Sequence, residues 1–449
     1  MEIGRSARKR ALFLVDGEHH PDTVRDAVRV LAERESLEPL ALYFLGGAEK
    51  LREVSEMALE GCALVVPEDP LGEFGRTLEE LSPDVVLDLS DLPVIGPALR
   101  MRMAATALAH GAAYRGADFE FRPPRRERIL ARPSCAVIGT GKRCGKTAVS
   151  AEMARYLART GREPVVVAMG RGGPPRPYVV EQGAVDEEYL RGELRKGLHA
   201  ASDHYEDALV SGVITVGSRR CGGGMAGEPF VTNVSEAAAV ADGLPGQVVI
   251  VEGSGSSVPP VHTHATVLVI SAAQDVEEAL GYLGAYRLLI SDGVIITMAE
   301  EPFATSRKIQ ELRERIEWIS GDVVVLNTIF RPHPLKPIRG RKVFLVATAP
   351  HEAEGLLEEH LRDQEGCEVV GSSFSLSRRD RLERDLEGAG EAEVVLTELK
   401  AAAVEVVAEY ARRYGKELVF FHNVPFPARP DGDLEGFFEA MWAKAVDRS

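Results

Sequence analysis

Val137-Ile-Gly-Thr-Gly-Lys-Arg-Cys-Gly-Lys-Thr147 is the stretch that decides how this chain is read. The apolar run from Cys135 to Ile138 leads into it. An amphipathic helix pattern follows at once, with Val149, Met153, Ala154 and Leu157 on one stripe. Strand, glycine loop and helix in that order give the context of a phosphate-cradling loop. Backbone N–H groups of Gly139, Thr140, Gly141, Lys142, Arg143, Cys144 and Gly145 would face phosphate oxygens, helped by the positive end of the helix dipole. Lys146 would reach the β and γ oxygens, and the Thr147 hydroxyl would ligate Mg²⁺. The register is unusual. Where the commonest form has a glycine before Gly145-Lys146-Thr147, this chain has Thr140, and its outer glycine is Gly139.

The chain beyond the loop supplies partners for it. The apolar strand Gln247–Val251 is tipped by Glu252 and then by Gly253-Ser-Gly-Ser256. One carboxylate at such a strand end is what a Mg²⁺ site facing a phosphate loop requires, because Mg²⁺ takes few protein oxygens and uses the nucleotide's own phosphates. The strand Val165–Met169 runs into Gly170-Arg171-Gly172-Gly173, where Arg171 offers a planar fork suited to phosphate or simply marks a turn. A short strand over Gly212–Val216 is expected to end in a loop, Gly217-Ser-Arg219-Arg220-Cys-Gly-Gly-Gly-Met225, with the composition of an anion-binding segment. Ser202-Asp203-His204-Tyr-Glu-Asp207 places a histidine among carboxylates, as a proton carrier or as a surface cap. Asn327, at the end of Val323–Asn327, could read a purine edge. His262 and His264 read as strand alternation rather than as a metal pair.

At 449 residues the chain is expected to hold two domains. With 45% hydrophobic and 27% charged residues, it has enough apolar material for globular cores. A formal net charge of −16 argues against general nucleic-acid or anionic-membrane binding. Local cations can still serve an anionic ligand, since charges beyond roughly 8 Å are screened. The basic start (Arg5, Arg8, Lys9, Arg10) precedes only Ala11–Val15 before Asp16, so no signal peptide is expected, and no run is long enough to span a membrane. Five scattered cysteines without a CxxC pair point to a reducing, cytoplasmic setting.

Residues 1–122 alternate apolar runs (Ala11–Val15, Leu40–Leu45, Ala63–Val66, Val85–Leu89) with helical patterns near Asp22–Glu33, Gly72–Leu81 and Gly96–His110. That alternation predicts a Rossmann-like α/β domain with a parallel sheet. Asp16-Gly-Glu-His19-His20 lies where strand ends form a ligand crevice, and is either a metal or anion site or a solvated loop. Residues 123–134, rich in proline and arginine, read as a linker. Residues 135–449 form the larger domain of P-loop NTPase type, with further strands at Ala265–Ile270, Gly293–Thr297, Asp322–Asn327, Lys342–Ala347, Glu393–Leu396 and Glu417–Phe421.

Gly139-Thr140, Gly145-Lys146-Thr147 and Val251-Glu-Gly-Ser-Gly255 resemble the nucleotide site of dethiobiotin synthetases. Gly141 and Lys142 depart from that family's Asp and Thr. A resemblance over essentially the whole chain is to cyclic 2,3-diphosphoglycerate synthetases. It is carried by Asp16-Gly-Glu-His19, GTGKRCGKTAVSA, VVVAMGRGGP, ASDHYEDAL and VVIVEGSGSSVPPV. It implies use of ATP and Mg²⁺ to close 2,3-bisphosphoglycerate into an intramolecular pyrophosphate, releasing ADP and phosphate. Under that reading Lys146, Arg171 and His204 act in catalysis. Lys142, Arg143, Arg171, Asp203, His204, Arg219 and Arg220 hold the substrate, and Thr147 with Glu252 holds the metal. The expected partner is this small anion, with no nucleic acid or membrane, and a homodimer is compatible with it. The rival readings are an ATP-dependent carboxylate ligase of the dethiobiotin type and a non-catalytic ATP-driven dimerisation switch.

Overall fold

The structure is a computed structural model and describes residues 8–449 except 187–188, 190–191, 193–202, 322, 400–402 and 430–431. Arg5, Ser202 and Asp322, named above, lie outside the described residues, as does the side chain of Asp203. The chain divides into two compact units, Met1–Arg125 with Val276–Ile290, and Arg126–Asp275 with Ser291–Ser449. The return of Val276–Ile290 to the first unit has no signature in the sequence.

The first unit carries strands β1 (Lys9–Val15), β2 (Leu37–Phe44), β3 (Ala63–Val65), β4 (Val85–Asp88), β5 (Ala113–Arg115) and β6 (Glu120–Phe121). Their order is β3-β2-β1-β4-β5-β6, and all neighbours are parallel except β5 and β6. The order in which strands are added reverses at β1, with β2 and β3 on one side and β4 and β5 on the other, which makes the carboxyl ends of β1 and β4 a topological switch point. The polar cluster found there is internally bonded. Asp16 is fully buried. Its Oδ1 accepts from the Glu18 and His19 backbone N–H groups and pairs with His19 Nδ1 at 2.8 Å, while Oδ2 accepts from Asp91 N at 2.6 Å. Asp88 Oδ2 likewise accepts from Arg100 Nε and Tyr114 O–H, both at 2.7 Å. Asp16 therefore organises its loop, and the helix Pro21–Glu35 is capped by His20.

The second unit holds β7 (Ser134–Gly139), β8 (Pro164–Gly170), β9 (Tyr178–Val180), β10 (Thr215–Cys221), β11 (Val231–Thr232), β12 (Val248–Glu252), β13 (Ala265–Ser271), β14 (Gly293–Thr297), β15 (Val324–Pro334), β16 (Lys342–Val346), β17 (Glu368–Ser373), β18 (Val394–Glu398) and β19 (Glu417–Pro427). They form one sheet in the order β11-β10-β8-β12-β7-β13-β14-β15-β19-β18-β16-β17, with β9 beside β10. Strands β7, β8, β12, β13 and β14 are buried along their whole length, as central parallel strands covered on both faces must be. Phe437, Phe438 and Met441 of the C-terminal helix (Leu434–Asp447) complete the core around β7 and β13.

β15 and β19 run past the ends expected for them. Thr328–Pro334 pairs antiparallel with Phe421–Pro427, whereas Val324–Asn327 pairs parallel with β14 and Glu417–Phe421 parallel with β18. This ribbon reverses the direction of the sheet, so the carboxyl ends of β7, β12, β13 and β14 point toward those of β16 and β18. Arg155, on the helix Lys146–Arg159, donates to His422 Nε2 of the ribbon at 3.0 Å. Burial first, and then Arg155, push the His422 pKa down to about 3, so it accepts that bond as a neutral ring. Of the segment expected to be a linker, Glu127 bonds to Pro260 O and His262 N, and Leu130 enters a core cluster. Among the described residues, no helix is long and apolar enough to cross a membrane.

Candidate active site

The glycine loop closes on its own lysine. Lys146 Nζ donates to Gly141 O at 2.8 Å and to Cys144 Sγ at 3.5 Å, and the residue is only 7% exposed. A Cβ at Gly139 would sit 2.5 Å from Cys144 Sγ and 2.9 Å from Lys146 Cδ. The outer glycine is thus set by close approach, even though it stands out of the common register. Gly145 has φ +95°, and a Cβ there would strike Phe330 of the ribbon. Thr297 Oγ1 donates to Cys144 O at 2.7 Å, and Thr140 Oγ1 donates to Gln274 Oε1 at 2.7 Å. These supports from β14 and the β13 end were missed by the sequence reading, because nothing local to Thr297 or Gln274 announces them. Lys142 and Arg143 stand exposed at the loop's tip, Arg143 with φ +63°.

Beside the loop, Thr147 Oγ1 donates to Glu252 Oε1 at 2.7 Å. The register of β12 against β7 places Glu252 opposite Val137, and Gly253 N donates to Val137 O at 2.9 Å. Glu252 is 5% exposed. A hydroxyl and a carboxylate, both hard oxygens, therefore meet at the start of the helix that follows the loop.

Two arginines converge past Glu252. A Cβ on Gly255 (φ +60°) would lie 2.5 Å from Arg171 Nη2 and 3.0 Å from Arg220 Nη2. Arg171 follows β8 and Arg220 belongs to the neighbouring β10, where the expected loop is instead the end of a strand. Alternation along that strand separates the arginine pair. Arg220 donates to Ser254 O and Gly222 O, each at 2.8 Å, whereas Arg219 is exposed, its backbone N–H bonded to Asn233 Oδ1. The glycine at 173 allows β8 and β10 to close up, since a Cβ there would collide with Ser218 O.

The remaining candidates sit differently from expectation. His204 is 5% exposed and packs against Tyr205 with ring centroids 4.1 Å apart, its ring over Gly217, where a Cβ would come within 2.6 Å of Cγ. Asn327 does not end its strand, and its Oδ1 accepts from Arg313 Nη1 at 3.0 Å. His264 Nδ1 pairs with Ser134 Oγ at 2.8 Å, and burial first, then Arg128 and Arg126, push the His262 pKa down to about 4. Among the described residues, no three His, Cys, Asp or Glu side chains gather in a metal cluster. One carboxylate escaped the sequence reading. Glu398 ends the apolar strand Val-Val-Leu-Thr-Glu in the way that Glu252 ends Val-Val-Ile-Val-Glu, so the same signal could have found it.

A parallel α/β sheet with this loop, lysine and strand-end carboxylate defines a P-loop nucleotide-binding enzyme. Family models extend the assignment over most of the chain. The cyclic 2,3-diphosphoglycerate synthetase N-terminal domain matches residues 10–122, its P-loop domain 134–329 and its C-terminal domain 334–424. The chain belongs to the cyclic 2,3-diphosphoglycerate synthetase family. The protein of that name from Rubrobacter xylanophilus is 48% identical, with 95% of this chain and 96% of the relative covered. The one from Methanothermus fervidus is 42% identical, with 93% of each covered. Among solved structures, LpxK from Aquifex aeolicus in complex with ATP aligns at a TM-score of 0.43 and 13% identity, covering 72% of this chain and 91% of that one.

Proposed function

We propose that this enzyme converts 2,3-bisphosphoglycerate to its cyclic intramolecular pyrophosphate, consuming ATP and releasing ADP and phosphate. The observation that carries the reading is the convergence of Arg171 and Arg220 over Gly255. Two guanidinium groups brought together beside a nucleotide loop make a local concentration of positive charge that favours an anion. A substrate with two phosphates on adjacent carbons is such an anion. The residues at the loop fit Mg²⁺, which takes few carboxylates and near-octahedral oxygen ligands. Thr147 and Glu252 would hold it, and when bound it neutralises charge on the β and γ phosphates.

In this reading Lys146 stabilises the charge that spreads over the transferring phosphoryl group. An oxygen of one substrate phosphate attacks the γ phosphorus, the bond to the bridging oxygen breaks, and ADP leaves. The neighbouring phosphate then attacks the inner phosphorus, closing the ring and expelling the outer phosphate. Arg171, Arg220, Lys142 and Arg143 offset the repulsion between the two groups. Holding them adjacent supplies a proximity advantage that reaches roughly 7–11 kcal/mol in well-oriented systems. His204, behind Gly217, supports the strand that carries Arg220 and needs to move no proton.

Gly255→Ala tests the substrate seat. Its methyl group displaces both guanidinium groups, each charge-assisted hydrogen bond being worth about 1.5–3 kcal/mol. The expected result is a KM for 2,3-bisphosphoglycerate raised by about tenfold or more, with the affinity for a non-hydrolysable ATP analogue unchanged. Equal loss of both affinities, or of neither, overturns the seat.

A further inference from the structure

The peptide between Cys144 and Gly145 is gripped by two strands to which the phosphate loop does not belong. Thr297, the last residue of β14, is fully buried, and its Oγ1 donates to Cys144 O at 2.7 Å. The other carbonyl in its reach, Ile270 O, is further off at 3.3 Å. A Cβ at Gly145 would lie 3.3 Å from Thr297 Cγ2 and would strike the Phe330 ring of the β15–β19 ribbon. Hydroxyl, methyl group and ring thus enclose one peptide group.

A trans peptide is planar, with its C=O and N–H pointing in opposite directions. The Cys144 carbonyl is drawn toward the buried Thr297, so the Gly145 N–H points away from β14, toward the open side of the loop, where Gly145 is only half-buried. Among the described residues nothing accepts from that N–H. It stands at the N-cap of the 14-residue helix Lys146–Arg159, where backbone donors and the helix dipole both favour a phosphate oxygen. Gly145 sits at φ +95°, and a residue without a Cβ also turns readily to other conformations. A turned-over peptide would aim the Cys144 carbonyl at the phosphate and repel it. The hold from outside the loop selects the binding orientation.

We propose that Thr297 and Phe330 are positioning residues that keep the Cys144–Gly145 peptide turned with its N–H into the loop, where it meets the β-phosphate of the nucleotide. The neighbouring strand and the ribbon thereby set the loop for binding before a nucleotide arrives. This role rests on the loop taking a nucleotide, and it is independent of which acceptor is phosphorylated.

Thr297→Val keeps the shape and the methyl contact and removes the hydroxyl. With the full-length protein and Mg²⁺, calorimetry should show ADP bound about fivefold more weakly, the size of one net hydrogen bond. AMP lacks the β-phosphate, and its affinity, read by displacement of a fluorescent ADP analogue, should change by less than about twofold. Thr297→Ser restores the hydroxyl and should bring ADP affinity back to within about twofold of the wild type. A generally distorted site would weaken both nucleotides alike, so equal losses for ADP and AMP overturn the proposal. An unchanged ADP affinity in Thr297→Val overturns it too, as does a serine variant as weak as the valine one. Should Thr297→Val fail to fold, Phe330→Leu decides the matter from a half-buried position on the ribbon. Loosening that wall should weaken ADP by about threefold, with AMP again spared, and an ADP affinity equal to the wild type there overturns the proposal. None of these readouts needs turnover, so a protein that leaves 2,3-bisphosphoglycerate untouched refutes the proposed function while the ADP and AMP affinities still decide the roles of Thr297 and Phe330.

Discussion

Lys146→Ala is expected to lower kcat by at least about a thousandfold, some 4 kcal/mol of transition-state stabilisation. Two facts set the size of the effect. The ammonium lies at the end of the helix that opens the nucleotide site, and its carbonyl contact with Gly141 holds it inside the loop. It is also 7% exposed, so its charge acts where water screens it weakly. Alanine removes that charge without inserting bulk, and the circular dichroism spectrum should stay that of the wild type. Turnover within tenfold of wild type, in a folded variant, would remove Lys146 from the chemistry.

The Thr147–Glu252 pair gives the second large effect. Glu252→Gln should cost about a hundredfold or more in kcat/KM, because an amide replaces one of the few anionic oxygens a Mg²⁺ site can use. Thr147→Val, which keeps the shape and loses the hydroxyl, should behave similarly, whereas Thr147→Ser should retain most activity. The decisive readout is the Mg²⁺ dependence of the initial rate. Both damaging variants should need a higher Mg²⁺ concentration for half-maximal rate. If Glu252→Gln saturates at the wild-type concentration, the pair is structural, and its 2.7 Å hydrogen bond is all it provides.

Much of this site is written in local sequence, and the part that is not has a physical reason. The loop, its helix and Glu252 are found because each depends on residues close in the chain: glycines at tight approaches, an apolar stripe, an apolar strand tipped with a carboxylate. Arg171 and Arg220 stand out as cations among glycines. Their convergence on Gly255, however, follows from β8 and β10 being neighbours, which no local pattern specifies. The arginine pair Arg219-Arg220 reads as a loop because glycines follow it, yet pairing with β8 and β11 keeps it in a strand, where alternation sends the two side chains to opposite faces.

The β15–β19 ribbon is hidden for a different reason. Pro332, Pro334, Pro425 and Pro427 interrupt its two strands, and proline argues against a central strand because it donates nothing to the ladder. Here the prolines lie along a stretch paired only with itself, beyond the residues that join β14 and β18, where edge positions tolerate them. Reading both strands as ending early conceals the reversal of the sheet. In the first unit the strands and helices are legible from alternation, whereas the bonding of Asp16 to His19 and Asp91 depends on loops from two different strands.

The most direct test of the central claim is phosphorus NMR of the purified protein incubated with ATP, Mg²⁺ and 2,3-bisphosphoglycerate. The account predicts that the two phosphomonoester resonances are replaced by coupled pyrophosphate resonances of a cyclic product, with ADP and inorganic phosphate appearing in equal amounts. ADP formed together with a linear phosphorylated product, or ATP consumed while the bisphosphoglycerate resonances stay unchanged, would contradict it.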